Sequence, residues 1–245
     1  QTLADWVKAE EAVKQGLISR MMYVEALVNI AKISETVNFE FGQKLEPYLE
    51  KIVFDQTNYN LASRYRAYER LARVQSAMKR WDKVEASSNL ILSDLSGKLP
   101  STATLAKAYF YLVMAKTESR NYKDAAALAD SYASQLPKLK SPEYIAEAYY
   151  VILRAYAFNK EIDKARAMAQ RAENFLKTPG IEQMNYVSYV KNGLSSIANL
   201  VDNETVASTG NAYNDGVQLM EQKKYAESAI QFEKARAEEV AILDK

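Results

Sequence analysis

Apolar residues recur every three or four positions along most of this chain, which is the spacing of one buried face of an α-helix. The clearest example is the stretch Leu105–Pro137, where two such patterns flank a short polar break at Glu118–Asn121. The stretches before and after it carry the same arrangement in altered form. Because one such helix pair cannot bury its apolar face alone, the pattern predicts helix pairs that pack against their neighbours.

Three consecutive helix pairs are predicted between residues 58 and 180. A large side chain marks the turn inside each pair, at Trp81, Tyr122 and Ile162, which gives a period of about 40 residues. Small and apolar residues on both helices of each pair are expected to form the core. They are Tyr68, Leu71, Ala72, Val84, Ser88 and Ile91 in the first pair, Tyr109, Leu112, Val113, Ala125, Ala129 and Tyr132 in the second, and Tyr149, Ile152, Leu153, Tyr156, Ala165, Ala169 and Ala172 in the third.

The two ends of the chain fit this period less well. Residues 1–57 predict helices that pack on the repeats, including one whose apolar stripe runs from Met22 to Ile33. Residues 181–204 predict one irregular helix followed by a linker, and residues 205–245 predict a final helix pair. Only 7 glycines and 5 prolines are present, which favours helices with short connections over a turn-rich β fold.

The spacing of small and aromatic residues resembles the tetratricopeptide repeat, a helix–turn–helix unit of about 34 residues. The family's small residue on the first helix is matched by Ala72 and Gly216 and replaced by Val113 and Leu153. Further matches are the turn aromatic at Trp81, Tyr122 and Tyr225, the small residue of the second helix at Ala125, Ala165 and Ser228, and the closing proline at Pro137. The resemblance implies an all-α fold in which antiparallel helix hairpins stack into a right-handed superhelix, an α-solenoid.

In the tetratricopeptide family the first helices line the concave face of the superhelix, and peptides commonly bind there. The resemblance therefore implies a protein or peptide partner on this face. The register selects nine candidate binding residues, which are Arg66, Arg70, Arg73, Lys107, Phe110, Met114, Tyr150, Arg154 and Phe158. Arginine and aromatic side chains are frequent anchors at protein interfaces, so this mixture suits an extended or helical segment.

The family's carboxylate clamp is not expected in this chain. That clamp needs Lys and Asn at two set positions, one helical turn apart, on the first helices of successive units. Here the positions hold Glu69 and Arg73, Phe110 and Met114, and Tyr150 and Arg154. Recognition of a chaperone's C-terminal carboxylate is therefore not predicted.

The catalytic inventory of the chain is small. No cysteine and no histidine is present, which excludes disulfides, thiolate and imidazole metal ligands, cysteine nucleophiles and histidine general bases. The sequence also lacks a glycine-rich phosphate loop and the acidic spacing of a calcium loop, and adjacent acids such as Glu10 and Glu11 diverge on a helix. We therefore expect no cofactor, no metal site and no enzymatic activity.

Charge is distributed unevenly although the formal net charge is only +1. Residues 58–100 carry about +4, and residues 181–245 carry about −4. The basic centre is either a set of solvated helix faces or an electropositive inner surface for an acidic partner. Nucleic acid is not the expected partner, because the basic cluster between Arg64 and Arg80 comes without a recognition motif.

These features lead to two hypotheses of function. The first is a non-enzymatic scaffold or adaptor that binds another protein, as part of a bacterial cell-envelope assembly. The alternative is the extracytoplasmic ligand-sensing domain of a larger signalling receptor. The start at Gln1 is compatible with a removed signal peptide or with a piece of a longer protein, so we expect an exported, periplasmic location, although a cytoplasmic one stays open. No transmembrane segment is predicted, and the oligomeric state is left open.

Overall fold

The chain is all-helical wherever its structure is described. The computed structural model describes residues 3–37, 39–95, 102–197, 220, 227–234 and 236, and these residues contain no β-strand. The first ten α-helices are α1 (Leu3–Lys14), α2 (Arg20–Val37), α3 (Phe39–Lys44), α4 (Glu46–Phe54), α5 (Leu61–Ala77), α6 (Trp81–Leu95), α7 (Thr102–Glu118), α8 (Tyr122–Ala133), α9 (Pro142–Phe158) and α10 (Ile162–Leu176). A short 3-10 helix, Leu136–Lys138, lies between α8 and α9, and residues 187–197 form α11. The prediction of an all-α fold is confirmed.

The N-terminal helices begin and end at the residues that local chemistry favours. Gly16 adopts a φ of 74° just after α1, a left-handed conformation that costs glycine nothing. The Ser19 hydroxyl caps α2 by accepting the Met22 N–H at 3.2 Å. Pro47 lies in the first turn of α4, where its missing N–H is harmless.

The predicted apolar stripe of α2 is wrong in part. Met22 and Ile33 are each 60% exposed, whereas Tyr23 and Leu27 are buried as predicted. Val24, Ala31 and Ser34 complete the buried face. Helices α1 and α5 both pack on α2. The face of α2 that is buried is therefore rotated about the helix axis relative to the predicted stripe.

Three helix hairpins, α5/α6, α7/α8 and α9/α10, lie where the sequence predicts three pairs. The turn of each hairpin contains one left-handed residue, Lys79, Arg120 or Lys160, with φ between 56° and 61°. The N–H of the following residue then reaches back five residues, in the Schellman arrangement that satisfies carbonyls at a helix end. The three bonds join Arg80 to Gln75, Asn121 to Lys116 and Glu161 to Tyr156, each with an N···O distance of 2.9 Å. The next helix therefore starts at Trp81, Tyr122 or Ile162.

Packing between hairpins places the first helices side by side. Helix α5 contacts α2 and α7, and α7 in turn contacts α9. The second helices pack between them, since α6 contacts α7 and α8 contacts α9. The fully buried small residues Ala72, Ala125 and Ala165 allow the close approach of neighbouring helices.

Helix α11 covers α9 through a glycine. A Cβ atom on Gly193 would lie 3.1 Å from the Cα of Tyr150 and 3.1 Å from Cδ1 of Leu153, so a larger residue would have to push α9 away by a few tenths of an ångström. The helix starts at residue 187, not near 181 as predicted, and Met184 before it is 46% exposed. Of the predicted final pair, Gly216 and Tyr225 lie outside the described residues, while residues 227–234 are helical.

Buried charges join the N-terminal helices to the first hairpin. The Arg64 guanidinium of α5 donates to the Val53 carbonyl of α4 at 2.7 Å and pairs with Asp94 of α6 at 2.7 Å. In α4, the Glu46 carboxylate accepts hydrogen bonds from Arg80 and from Lys83 at 3.2 Å. These contacts between distant residues hold α4 against the first hairpin, and apolar periodicity does not predict them.

Candidate functional site

An open groove of about 1080 Å³ crosses the exposed side of the first helices. We call it the groove. It is lined by α2, α5, α7 and α9, with one residue from α11. The lining residues are Asn29, Lys32, Ile33, Glu69, Arg70, Arg73, Ser76, Lys107, Phe110, Tyr111, Met114, Glu143, Glu147, Tyr150 and Tyr189.

Six of the nine candidate binding residues lie in the groove. They are Arg70, Arg73, Lys107, Phe110, Met114 and Tyr150. Arg66 lies beside it, on a smaller depression of about 330 Å³ between α2 and α5, and its guanidinium pairs with Glu25 at 2.6 Å. Arg154 and Phe158 lie outside the groove.

Arg154 and Phe158 belong to a column of rings on the surface of α9. The Arg154 guanidinium lies 5.2 Å from the Tyr150 ring and 5.5 Å from the Phe158 ring, within range of a cation–π contact. Phe158 stacks on Tyr122 at 5.4 Å, and Tyr150 meets Tyr189 edge-on at 5.8 Å. The column therefore ties the start of α8 and helix α11 to α9, and only its Tyr150 end reaches the groove.

A buried ion pair lies on the floor of the groove. Lys107 Nζ contacts both carboxylate oxygens of Glu147, at 2.6 Å and 2.8 Å, and also lies 5.3 Å from the Tyr144 ring. Burial raises the pKa of Glu147, and the neighbouring Lys107 charge partly offsets that effect. Lys107 is thus a candidate binding residue, but its positive charge is already balanced by the Glu147 carboxylate.

The two halves of the groove differ in charge. Among the described residues that line it, the α2–α5 half holds the cations Lys32, Arg70 and Arg73 and the carboxylate Glu69, which accepts a hydrogen bond from Arg70 at 2.8 Å. The α7–α9 half holds Lys107 against two carboxylates and presents most of the aromatic surface. The described lining residues are therefore mainly basic at the α2–α5 end, whereas the aromatic ones lie at the other end.

Several lining residues were not among the candidates. Lys32 and Ile33 come from α2, whose stripe was assigned to the core, and Tyr189 comes from a segment with weak periodicity. Glu147 was also missed, although a signal for it exists. It lies 40 residues after Lys107, one repeat period away, so the two opposite charges occupy neighbouring first helices.

The groove contains groups for binding, by charge, stacking and apolar contact. Within the described part of the chain, no three Asp, Glu, His or Cys side chains are grouped so as to hold a metal ion. In the same part, no helix combines the length and apolar character needed to cross a membrane. Comparison of the chain with models of protein families and with curated proteins found no match. The resemblance to tetratricopeptide repeats stays a prediction from residue spacing.

Proposed function

We propose that this chain is a non-enzymatic, tetratricopeptide-like scaffold that binds a polypeptide segment in the groove, as part of a bacterial cell-envelope assembly. Its hairpins stack into a right-handed superhelix whose inner face is built by the first helices. The observation that carries the proposal is the groove itself, about 1080 Å³ in volume and lined along its length by those helices. Its mixture of arginine, tyrosine and methionine side chains is typical of interface anchors.

The span of the groove suits a peptide. It crosses five helices, α2, α5, α7, α9 and α11. Packed helix axes lie about 8–10 Å apart, so four such steps cover roughly 30–40 Å. An extended chain advances about 3.3 Å per residue, and the groove therefore accommodates a segment of roughly 10 residues.

Site-specific photo-crosslinking in the cell that produces the protein tests this proposal. The photoreactive residue p-benzoylphenylalanine replaces Ile33 or Met114 in the groove, or Ala127 on the exposed side of α8 as the control. We expect both groove positions to yield the same polypeptide adduct and Ala127 to yield none. A discrete adduct that contains a second copy of this chain would identify the partner as self.

Two results would count against the scaffold. Equal adducts from Ala127 and from the groove would show that contact is not specific to this face. Adducts with small molecules alone, with no polypeptide at either groove position, would favour the ligand-sensing alternative. Fractionation of the same cells checks the periplasmic location, which predicts release of the chain with the periplasmic contents.

A further inference from the structure

We infer that a small cavity among the N-terminal helices binds a small organic carboxylate. We call it the N-terminal cavity. It has a volume of about 140 Å³, and its wall includes Glu10 and Val13 of α1, Arg20 and Tyr23 of α2, and Lys51 of α4, together with residues of the loop after α4. None of its lining residues lines the groove, so the inference is independent of the proposed function.

The Tyr23 side chain gives the main reason to expect a ligand. It is 2% exposed and lines the N-terminal cavity, and its hydroxyl has no hydrogen-bond partner among the described residues. The Trp6 ring packs edge-on against it at 5.9 Å, and the buried Trp6 indole N–H also lacks such a partner. Burial raises the pKa of Tyr23, so the hydroxyl keeps its proton. Because a buried hydroxyl without an acceptor is costly, a ligand that accepts its hydrogen bond gains that free energy.

The carboxylates of the N-terminal cavity are already engaged by the protein. Glu10 accepts a hydrogen bond from Lys51 Nζ at 2.8 Å. Asp55 accepts one from the Thr57 N–H at 3.2 Å and two from Asn58, through its backbone N–H at 2.9 Å and its Nδ2 at 2.8 Å. An amine ligand would have to compete with these bonds, so the cavity does not favour a cation.

The polar groups that can serve a ligand are hydrogen-bond donors. A guanidinium carries five N–H donors, and among the described residues the Arg20 guanidinium makes one hydrogen bond, from Nη2 to Asn58 Oδ1 at 3.2 Å. Arg20 and Tyr23 are three residues apart on α2, so they lie on the same face of the helix, and both line the cavity. A carboxylate can accept from the Tyr23 hydroxyl and from Arg20 together, and such charge-assisted hydrogen bonds are the strong ones.

The rest of the wall sets the size and character of the ligand. Val13 and Tyr59 supply apolar surface, and Tyr59 is 9% exposed. A cavity of about 150 Å³ is large enough for a molecule the size of benzene. The N-terminal cavity, at about 140 Å³, therefore suits a carboxylate with a short apolar body, roughly six to eight non-hydrogen atoms in all.

Saturation-transfer NMR on the full chain, with pentanoate as the probe, tests the inference. Pentanamide and pentylamine have nearly the same shape without the negative charge. We expect pentanoate to bind with a Kd below about 10 mM and neither of the other two to displace it.

Two variants place the binding in the N-terminal cavity. Tyr23→Phe removes only the unpartnered hydroxyl, so the fold is expected to be kept, and the affinity for pentanoate should fall at least about tenfold because a hydrogen bond to a charged acceptor is lost. Arg20→Gln, at an exposed position, should lower it at least about threefold. The control Tyr132→Phe removes another buried hydroxyl without a described partner, on α8, and should leave the affinity within about twofold.

Three results would overturn the inference. The first is no saturation transfer to pentanoate at about 10 mM, and the second is equal binding of pentanamide or pentylamine, which would remove the selectivity for an anion. The third is an unchanged affinity in both Tyr23→Phe and Arg20→Gln, which would place the pentanoate elsewhere on the chain. Thermal unfolding of each variant checks that it is folded. Crosslinking from the groove is measured separately, so failure here leaves the proposed function standing.

Discussion

The three central hairpins and the N-terminal helices are held together by different forces. In the hairpins, small and apolar residues recur at equivalent positions: Val84, Ala125 and Ala165 each lie three residues after the start of the second helix, and all three are fully buried. At the junction of α4 with the first hairpin, buried charges add specific long-range contacts, chiefly those of Glu46 and Arg64. A packing position that repeats along the chain can be recognised from a single sequence, whereas an ion pair between two distant residues cannot.

The ends of the helices show the same contrast. Helix α1 ends at Lys14 and is followed by Gly16, the residue best suited to a φ of 74°. The hairpins place Lys79, Arg120 and Lys160 in that left-handed conformation, which costs a residue with a Cβ atom about 1–2 kcal/mol. The repeated turn is thus maintained by the packing of the hairpins rather than by its local residue.

Removal of the buried guanidinium at the junction is expected to have the largest effect on stability. Arg64 is 4% exposed, and its loss leaves Asp94 and the Val53 carbonyl without this partner. Arg64→Ala should lower the free energy of unfolding by about 3–5 kcal/mol in urea titration. The control Arg66→Ala breaks an exposed pair with Glu25 and should cost less than about 1 kcal/mol. Equal losses in the two variants would contradict the role given to buried charge.

Enlargement of a small residue tests the hairpins. Ala125 is fully buried on α8, whereas Ala127 on the same helix is exposed. Ala125→Leu should lower the free energy of unfolding by about 1–3 kcal/mol, because the added atoms force neighbouring helices apart. Ala127→Leu should change it by less than about 0.5 kcal/mol. If thermal and urea unfolding do not separate these two variants, close packing at this position is not what holds the hairpins.

Glycine in a hairpin turn is expected to increase stability slightly. Lys160 has a φ of 59°, so Lys160→Gly should raise the free energy of unfolding by about 0.5–1 kcal/mol. Lys177 ends α10 with a φ of −79°, and Lys177→Gly should instead lower stability by up to about 1 kcal/mol. Effects of the same sign in urea titration would mean that backbone conformation does not determine the result.

The ion pair in the groove should give a small dependence of stability on pH. Burial raises the pKa of Glu147 above its ordinary value of 4.5. A raised pKa in the folded state means that the contribution of Glu147 is complete below its unfolded pKa and is lost as pH rises through the folded one. Stability relative to Glu147→Gln should therefore fall as pH increases from about 4 to 7, as followed by urea titration at each pH. A constant difference would show that the carboxyl keeps the same pKa in both states.

Much of the fold could be predicted because it repeats. The helix pairs, their turns at Trp81, Tyr122 and Ile162, and most buried positions follow from apolar periodicity. The face of α2 could not, since which side of a helix is covered depends on its neighbours. Ile33 is apolar yet 60% exposed, because it lies in the groove rather than in the core.

The candidate site was predicted to a lesser extent. The register of the first helices brought Arg70, Phe110 and Met114 to one surface. It did not separate them from Arg154 and Phe158, because residues on one stripe of a helix need not share a groove. The ion pair between Lys107 and Glu147 was also not predicted. Tyr189 reaches the groove only because of the way α11 packs against α9, which apolar periodicity does not determine.

Amide hydrogen exchange of the full chain, with and without the polypeptide recovered by crosslinking from the groove, tests the central claim most directly. Bound partner should slow exchange in α2, α5, α7 and α9, which build the groove, and leave α6, α8 and α10 unchanged. Protection confined to α6, α8 and α10 would place the partner on the opposite side and contradict the account.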